Sequence, residues 1–339
     1  MRQFSCYAFF REHRQTVFTM AGSLQYWPRR RAHRRLPRTR NSPKLAEPLL
    51  SNIVAYKAGM VSVGVIDDSN APTAGMEVAR AATVLEVPSM QVYGVRLYKR
   101  SAITGYRGTA IDVMDSKLAL KLGMKTVKND ESKLNGLKDS KDYTDACALV
   151  AAFPKGMAVG QHHPVRFECA VGGKDIAEKI GTLSSMLGKE LKASDVFKNG
   201  EYIDVASVST GKGWQGAIKR HGASRQFHKA TAKIRHVGPI GAFTPGKVLY
   251  TVPRAGQMGF NYRTEHNKRI IKVGQKGSTE EITPKSGFPN YGKVANEYVL
   301  VDGSVPGPAK RLVRIRKSIS SRNAPGIKEL KLAYISKDK

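Results

Sequence analysis

The sequence predicts a mainly β fold with an α/β insertion and long irregular basic segments. Short apolar runs alternate with turn residues over much of the chain, and 32 Gly with 16 Pro favour a turn-rich architecture. Only one segment carries a clear helical stripe. At 41% hydrophobic the chain can build a core, and 339 residues suffice for one or two domains.

Taken in order, residues 1–19 contain an apolar run from Phe4 to Phe10 that stops at Arg11, Glu12, His13 and Arg14. The run is too short for a secretory signal. A mitochondrial presequence is conceivable, with three Arg against one acid. The favoured reading is an upstream extension with Met20 as the true start, which an intact mass beginning before Met20 would end. Residues 20–48 form a basic arm: Arg29, Arg30, Arg31, Arg34, Arg35, Arg38, Arg40 and Lys44 come before Glu47, with Pro28, Pro37, Pro43 and Pro48 among them. Prolines at that spacing forbid a helix, and the apolar content is too low to pack. Alone the arm reads as a solvated tail; beside the other basic stretches it reads as an arm that orders on nucleic acid.

Residues 49–100 supply the first part of the β fold. Apolar runs at 52–56 and 60–66 are separated by Lys57, Ala58 and Gly59, and Asp67, Asp68, Ser69 and Asn70 give turn chemistry. Runs at 81–87 and 90–98 follow, so a small barrel or sandwich is expected. Residues 101–200 change character to an α/β insertion. The stretch 117–141 is dense in Lys and Asp. A helix is expected over 175–187, with Ile176, Ile180, Leu183 and Leu187 on one core-facing stripe, Asp175 at its start and Gly188 at its end.

Residues 201–339 return to β. Over 202–209, Tyr202, Asp204, Ala206 and Val208 alternate with Ile203, Val205 and Ser207. A basic finger over about 212–272 follows, in which Glu265 is the only acid. Its glycines rule out a long helix, and it cannot recover about 1–2 kcal/mol of backbone entropy per residue by burying itself. Strands are expected to resume at 294–301 and 311–315, with a last one over 330–334.

The net charge of +30 and pI near 10.1 call for a polyanionic partner. A membrane surface would want an amphipathic basic helix, and none is convincing. Cys6, Cys147 and Cys169 form no CxxC pair, which excludes a disulfide framework or zinc ribbon and suits a reducing compartment. The run from Gly211 to Gly216 has GxGxxG spacing, but no acid stands near 20 residues beyond it, so a dinucleotide site is disfavoured. His162 and His163 lack companion ligands. With no nucleophile elbow, HExxH, Walker A or paired-carboxylate pattern, the sequence predicts no enzyme, cofactor, metal or small-molecule substrate.

The candidate RNA contacts are Arg29, Arg30, Arg31, Arg34, Arg35, Arg38 and Arg40 in the arm. In the finger they are Lys212, Trp214, Lys219, Arg220, His221, Arg225, His228, Lys229, Lys233, Arg235, His236, Phe243, Lys247, Arg254, Arg263, His266, Lys268 and Arg269. Lys and Arg would meet phosphates, which position rather than discriminate. Trp214 and Phe243 sit in Gly-rich settings where stacking on an unpaired base is sensible. The histidines lie among cations and would hydrogen-bond or stack. A free basic chaperone or architectural protein is the alternative reading.

Several motifs, in order, carry a resemblance. They are Asp204-Val205-Ala206-Ser207-Val208-Ser209-Thr210-Gly211-Lys212-Gly213-Trp214-Gln215-Gly216, Lys219-Arg220-His221, Gly241-Ala242-Phe243-Thr244-Pro245, Arg254-Ala255-Gly256-Gln257-Met258-Gly259 and Arg263-Thr264-Glu265-His266-Asn267-Lys268-Arg269. Gly303-Ser304-Val305-Pro306-Gly307-Pro308, Gly22-Ser23-Leu24 and Pro28-Arg29-Arg30-Arg31 join them. Together they resemble the universal large-subunit ribosomal protein three family, in its archaeal and eukaryotic-cytosolic form, from about Met20 onward and only loosely over 110–160. The resemblance implies a six-stranded closed barrel of the translation-protein type, an α/β insertion and two extensions into large-subunit rRNA. It further implies binding of the 3′ region of that rRNA early in assembly, and a central extension that approaches the peptidyl-transferase centre. Neighbouring large-subunit proteins would pack on the barrel, in the cytoplasm. Phe243 stands where the family generally carries Trp, and the long eukaryotic carboxyl extension is missing, which favours the archaeal type.

If the arm and finger order on RNA, limited proteolysis of the free protein should cut first within 20–48 and 220–265. Uniform resistance there would contradict that account.

Overall fold

The computed structural model describes residues 26–39, 41–43, 45–100, 105, 107–124, 136, 143–230, 233–320 and 329–336. Segment 1–19, Arg40, Lys44 and most of 125–142 lie outside the described residues. The chain divides into a larger unit, Arg34–Val208 with Tyr262–Lys339, and a smaller one, Met1–His33 with Ser209–Asn261.

In the larger unit, branched apolar residues build β1 (Asn52–Ile66) as one strand rather than the two runs expected. The Lys57-Ala58-Gly59 stretch is a bulge: pairing with β2 (Glu77–Glu86) shifts register between Lys57 and Gly59. An inserted residue bends a strand without ending it, which the apolar pattern alone does not distinguish from a turn. The second sheet holds β3 (Ser89–Arg100), β4 (Arg107–Met114), β5 (Asp145–Phe153), β6 (Val165–Ala170) and β7 (Glu190–Leu191). Its order is β4-β3-β5-β6, with β7 also paired to β3. Within 117–141 the described residues include a short helix, Ser116–Lys121, started by the Asp115 carboxylate accepting from the Lys117 N–H.

The helix Ile176–Met186 buries Ile180 and Leu183 completely, with Ile176 and Leu187 packed at the margin, so the stripe faces the core as expected. Asp175 stands at the cap position but makes no side-chain cap bond. Glu178 instead accepts from the Lys174 N–H at 3.3 Å. Gly188 (φ +76°) gives its N–H to the Val92 carbonyl, which hands the chain back to the second sheet.

The remaining strands of this unit are β8 (Tyr202–Val208), β11 (Tyr262–Gly274), β12 (Tyr298–Asp302), β13 (Leu312–Lys317) and β14 (Leu332–Ile335); β9 (Trp214–Gln215) and β10 (Gly256–Gln257) belong to the smaller unit. Pairings run β13-β8-β11-β12-β2-β1, and β1 pairs back to β13 from Asn52↔Arg316 to Tyr56↔Leu312, closing a ring of six strands. β14 adds to β1 at its far end. The fold is thus mainly β. β8 is buried on both faces apart from Tyr202, because ionic groups rather than solvent meet its polar side. Asp204 there is 1% exposed; it accepts from Arg316 Nε and Nη2 at 3.2 and 3.0 Å and from the Asn267 N–H at 3.1 Å.

Glu86 on β2 is fully buried, and its carboxylate collects the loop after β11. One oxygen takes the Tyr291 hydroxyl; the other takes the N–H groups of Ala295 and Asn296 at 3.0 and 2.9 Å and Asn296 Nδ2 at 3.2 Å. Glu86→Ala would orphan all four donors in a dry site, at an expected cost of about 3 kcal/mol or more in chemical denaturation. Tyr291→Phe, which removes one donor, should cost about 1 kcal/mol. Equal costs for the two would show that the carboxylate does not organise the loop.

Candidate nucleic-acid interface

The smaller unit is held by backbone rather than by a core. Lys212 gives its N–H to the Met258 carbonyl, Met258 to Gly213, and Phe260 to Thr210. β9 (Trp214–Gln215) and β10 (Gly256–Gln257) pair over two residues each. Gly259 has φ +70°, and a Cβ there would lie 2.0 Å from the Thr210 oxygen, so no side chain fits. Among the described residues of this unit only Ala32 and Gly256 are buried. Trp214 and Phe243 are 76% and 97% exposed, and Phe227 and Tyr250 stand mostly in solvent. Aromatics that are usually core are here left uncovered.

The Gly211–Gly216 motif leads into a helix of five residues, Ala217–His221, which ends at left-handed Gly222 (φ +69°). A short helix was not anticipated from sequence, but neither its length nor the absence of acid through Asn261 suits a dinucleotide.

Lys212, Lys219, Arg225, His228, Lys229, Lys233, Arg235, His236, Lys247 and Arg254 are all exposed, and 209–261 contains no Asp or Glu. Arg30 and Arg31 are exposed likewise, while Arg29 is half-buried. The arm does not stand apart as a solvated tail: Ala32 gives its N–H to the Phe260 carbonyl, Asn261 Nδ2 donates to the Arg30 carbonyl at 2.8 Å, and Arg31 lies 5.4 Å over the Phe260 ring. The residue that sequence reasoning missed is Trp27, whose indole packs against His221 and Tyr250. Its place directly before Pro28 and three arginines was the available signal.

Further along, Arg34, Arg35 and Arg38 are exposed in the larger unit, where the Tyr262 hydroxyl bridges the Arg34 backbone N–H and carbonyl. Arg263, His266, Lys268 and Arg269 are not in an irregular finger. They lie on β11, whose apolar C-terminal half, Ile270 and Ile271, is buried in the ring and draws the charged half into pairing with β8. Acids answer three of these side chains. Arg269 is bidentate to Asp68 at 2.9 and 2.7 Å, Lys268 meets Glu265 at 3.1 Å, and His266 Nδ1 is 3.0 Å from Asp204. His266 thus faces a carboxylate rather than cations alone. His221 differs: burial, then Arg29 and Arg220, push its pKa down, which favours a neutral ring.

Among the described residues no group of His, Cys, Asp and Glu could hold a metal, and no helix is long and apolar enough to cross a membrane.

Fold and composition together define a basic, mainly β protein. The chain matches the ribosomal protein L3 family over residues 12–339, and it belongs to that family. The match begins inside the segment set aside as an upstream extension. A large ribosomal subunit protein uL3 of Methanobrevibacter smithii is 40% identical over 314 residues, covering 89% of this chain and 92% of that one. The uL3 proteins of Methanocaldococcus jannaschii and Pyrobaculum aerophilum are 41% and 40% identical, covering 93% of this chain and 95% and 96% of theirs. The family is structural, not enzymatic.

The Arg269 fork holds the Asp68 carboxyl below the usual aspartate range, with burial opposing. A depressed folded pKa gives stability that is present above the unfolded value and lost as pH falls through the folded one. Asp68→Asn should therefore cost about 0.5–1 kcal/mol at neutral pH; the difference from the parent should begin to shrink below about pH 4 and vanish only once pH has fallen through the lowered folded pKa. Denaturation curves at pH 7, 5 and 3 check this; a difference that grows toward acid would reverse the assignment.

Proposed function

We propose that the protein is a structural constituent of the large ribosomal subunit, and that its smaller unit and arm bind large-subunit rRNA. The observation that carries this is the acid-free stretch 209–261, which pairs exposed cations with uncovered aromatics and among its described residues buries only Gly256. Such a surface gains free energy by neutralising phosphates and releasing their counterions. Membership of the L3 family, with relatives named as large-subunit proteins, supports the same partner.

In this reading the six-strand ring is a closed barrel of the translation-protein type on which neighbouring ribosomal proteins pack. The rRNA contacts are Arg29, Arg30, Arg31, Arg34, Arg35, Arg38 and Arg40 with Lys212, Trp214, Lys219, Arg220, His221, Arg225, His228, Lys229, Lys233, Arg235, His236, Phe243, Lys247 and Arg254. Arg263, His266 and Lys268 add contacts along β11. Arg269, with both terminal nitrogens on Asp68, serves the fold first. Binding is to the 3′ region of the rRNA early in assembly, with Phe243 nearest the peptidyl-transferase centre. Residence is cytoplasmic, in the subunit.

Sucrose-gradient fractionation at high salt, followed by RNA crosslink mapping, tests this reading. Stoichiometric residence in the large subunit, with crosslinks from 209–261 near the peptidyl-transferase region, is expected. A protein found mainly outside the subunit, on miscellaneous RNAs, would favour the free chaperone instead. At Phe243 only a ring face is on offer, so Phe243→Trp should preserve rRNA affinity and Phe243→Ala should lose about 1–3 kcal/mol in binding measurements. Equal affinity for the alanine variant would remove stacking from the mechanism.

A further inference from the structure

One cluster in the smaller unit is more highly organised than a spread of solvated cations requires. The Trp27 indole stacks on the His221 ring, with centroids 5.7 Å apart and planes 21° from parallel. Two guanidinium groups lie over the same indole, Arg29 Cζ at 5.6 Å and Arg220 Cζ at 5.7 Å. Arg29 Nη1 donates to the Arg220 carbonyl at 2.8 Å. Arg220 in turn donates from Nε to the Gln257 carbonyl at 3.0 Å and from Nη1 to the Arg254 carbonyl at 2.9 Å. Its fork lies flat on the chain at Gly256, where a Cβ would come within 2.8 Å of Arg220 Cζ. Neutral carbonyls and an aromatic face therefore fix two like charges that no carboxylate answers in the 209–261 stretch.

That arrangement carries a cost. Burial, then the Arg29 charge, lower the pKa of Arg220, and both arginines add to the effect of burial at His221. Arg29 Nε is buried and has no hydrogen-bond partner among the described residues. Leaving a buried donor unmade costs about 1–3 kcal/mol. For tying the arm down, one arginine on the Trp27 face would serve; the second brings repulsion beside its carbonyl hydrogen bonds. A tetrahedral oxyanion would offset the two positive charges and accept from guanidinium N–H groups that the carbonyls leave free.

Resting on the ribosomal reading above, we propose that Trp27, Arg29, Arg220 and His221 form a discrete, preorganised site for one backbone phosphate of the RNA. The neutral imidazole suits the empty state, with Nε2 3.3 Å from Arg220 Nη1 and able to accept from it, and with the Arg254 backbone beside the ring. An anion seated between the arginines favours the imidazolium, so occupancy and His221 protonation are linked. The groups facing that ring are Arg29, Arg220, the Arg254 carbonyl and the Trp27 indole.

The test uses the full chain, with inorganic phosphate as probe at constant ionic strength balanced by chloride. NMR signals of the His221 ring and the Arg29 Nε–H should move saturably with phosphate, and the His221 titration should shift upward. Arg29→Ala should weaken the response at least tenfold, while Arg29→Lys, which keeps the charge but not the fork, should fall between; unchanged amide spectra elsewhere certify both variants as folded. In the second arm, Arg29→Ala should lower the slope of log affinity for large-subunit rRNA against log salt by about 0.7, one phosphate's worth. A parent protein with no saturable phosphate response, or an equal response in Arg29→Ala, overturns the site. Phosphate uptake with an unchanged RNA slope overturns the assignment to RNA and leaves a site for free phosphate. A parent that binds phosphate at His221 but no rRNA sinks the ribosomal reading on which the RNA assignment rests.

Discussion

The pairing of β1 with β13 is the constraint on which the larger unit depends. It converts a run of antiparallel strands into a ring in which each of the six has a partner on both sides. Closure removes unpaired edges, where backbone donors would otherwise recruit other chains. It also fixes β8 by β13 and β11 by β12, so the two strands through which the chain leaves for the smaller unit and returns are set by neighbours as well as by each other. The polar groups trapped by closure are answered inside it: Asp204 by Arg316, Glu86 by the loop through Asn296, and Arg314 by the Asn52 side-chain oxygen at 3.2–3.3 Å. A buried charge left alone would cost several kcal/mol, so each of these is a condition of the ring rather than an addition to it.

Cations in this protein follow two regimes. In the larger unit many face acids: Arg80 reaches Asp67 and Asp302, and Arg96 is bidentate to Asp112 with Glu168 beside it. Such pairs at the surface are worth about 0–1 kcal/mol each and leave little charge for a partner. The smaller unit has cations without acids in 209–261; most stand exposed, and Arg220 is held in place by carbonyl oxygen and an aromatic ring. Formal charge counts both kinds alike, which is why a net charge of +30 identifies the partner's sign but not the surface that meets it.

That difference explains what was legible in the sequence. Periodicity located the strands and the helix at 176–186, because alternation and a 3.6-residue stripe record burial directly. It could not tell the Lys57–Gly59 bulge from a turn, because both interrupt the pattern in the same way. The basic composition of 209–261 gave the candidate surface, and the motifs in order gave the family. The same composition carried the expected finger on to residue 272, although β11 begins at Tyr262 and buries Ile270. A charged strand reads as loop when the acids that pair with it, Asp68 and Asp204, lie far away in sequence. Trp27 went unremarked for a similar reason, since its partners His221 and Tyr250 are about two hundred positions away.

The nearly coreless build of the smaller unit also sets how it answers temperature. Heat capacity changes on unfolding come mainly from apolar surface newly exposed to water, and here most of that surface is exposed from the start. Loosening this unit therefore carries little heat-capacity change, so its order declines gradually on warming and has no cold instability of its own. The ring, with its branched side chains packed inside, melts sharply and weakens on deep cooling. One polypeptide thus carries two thermal responses.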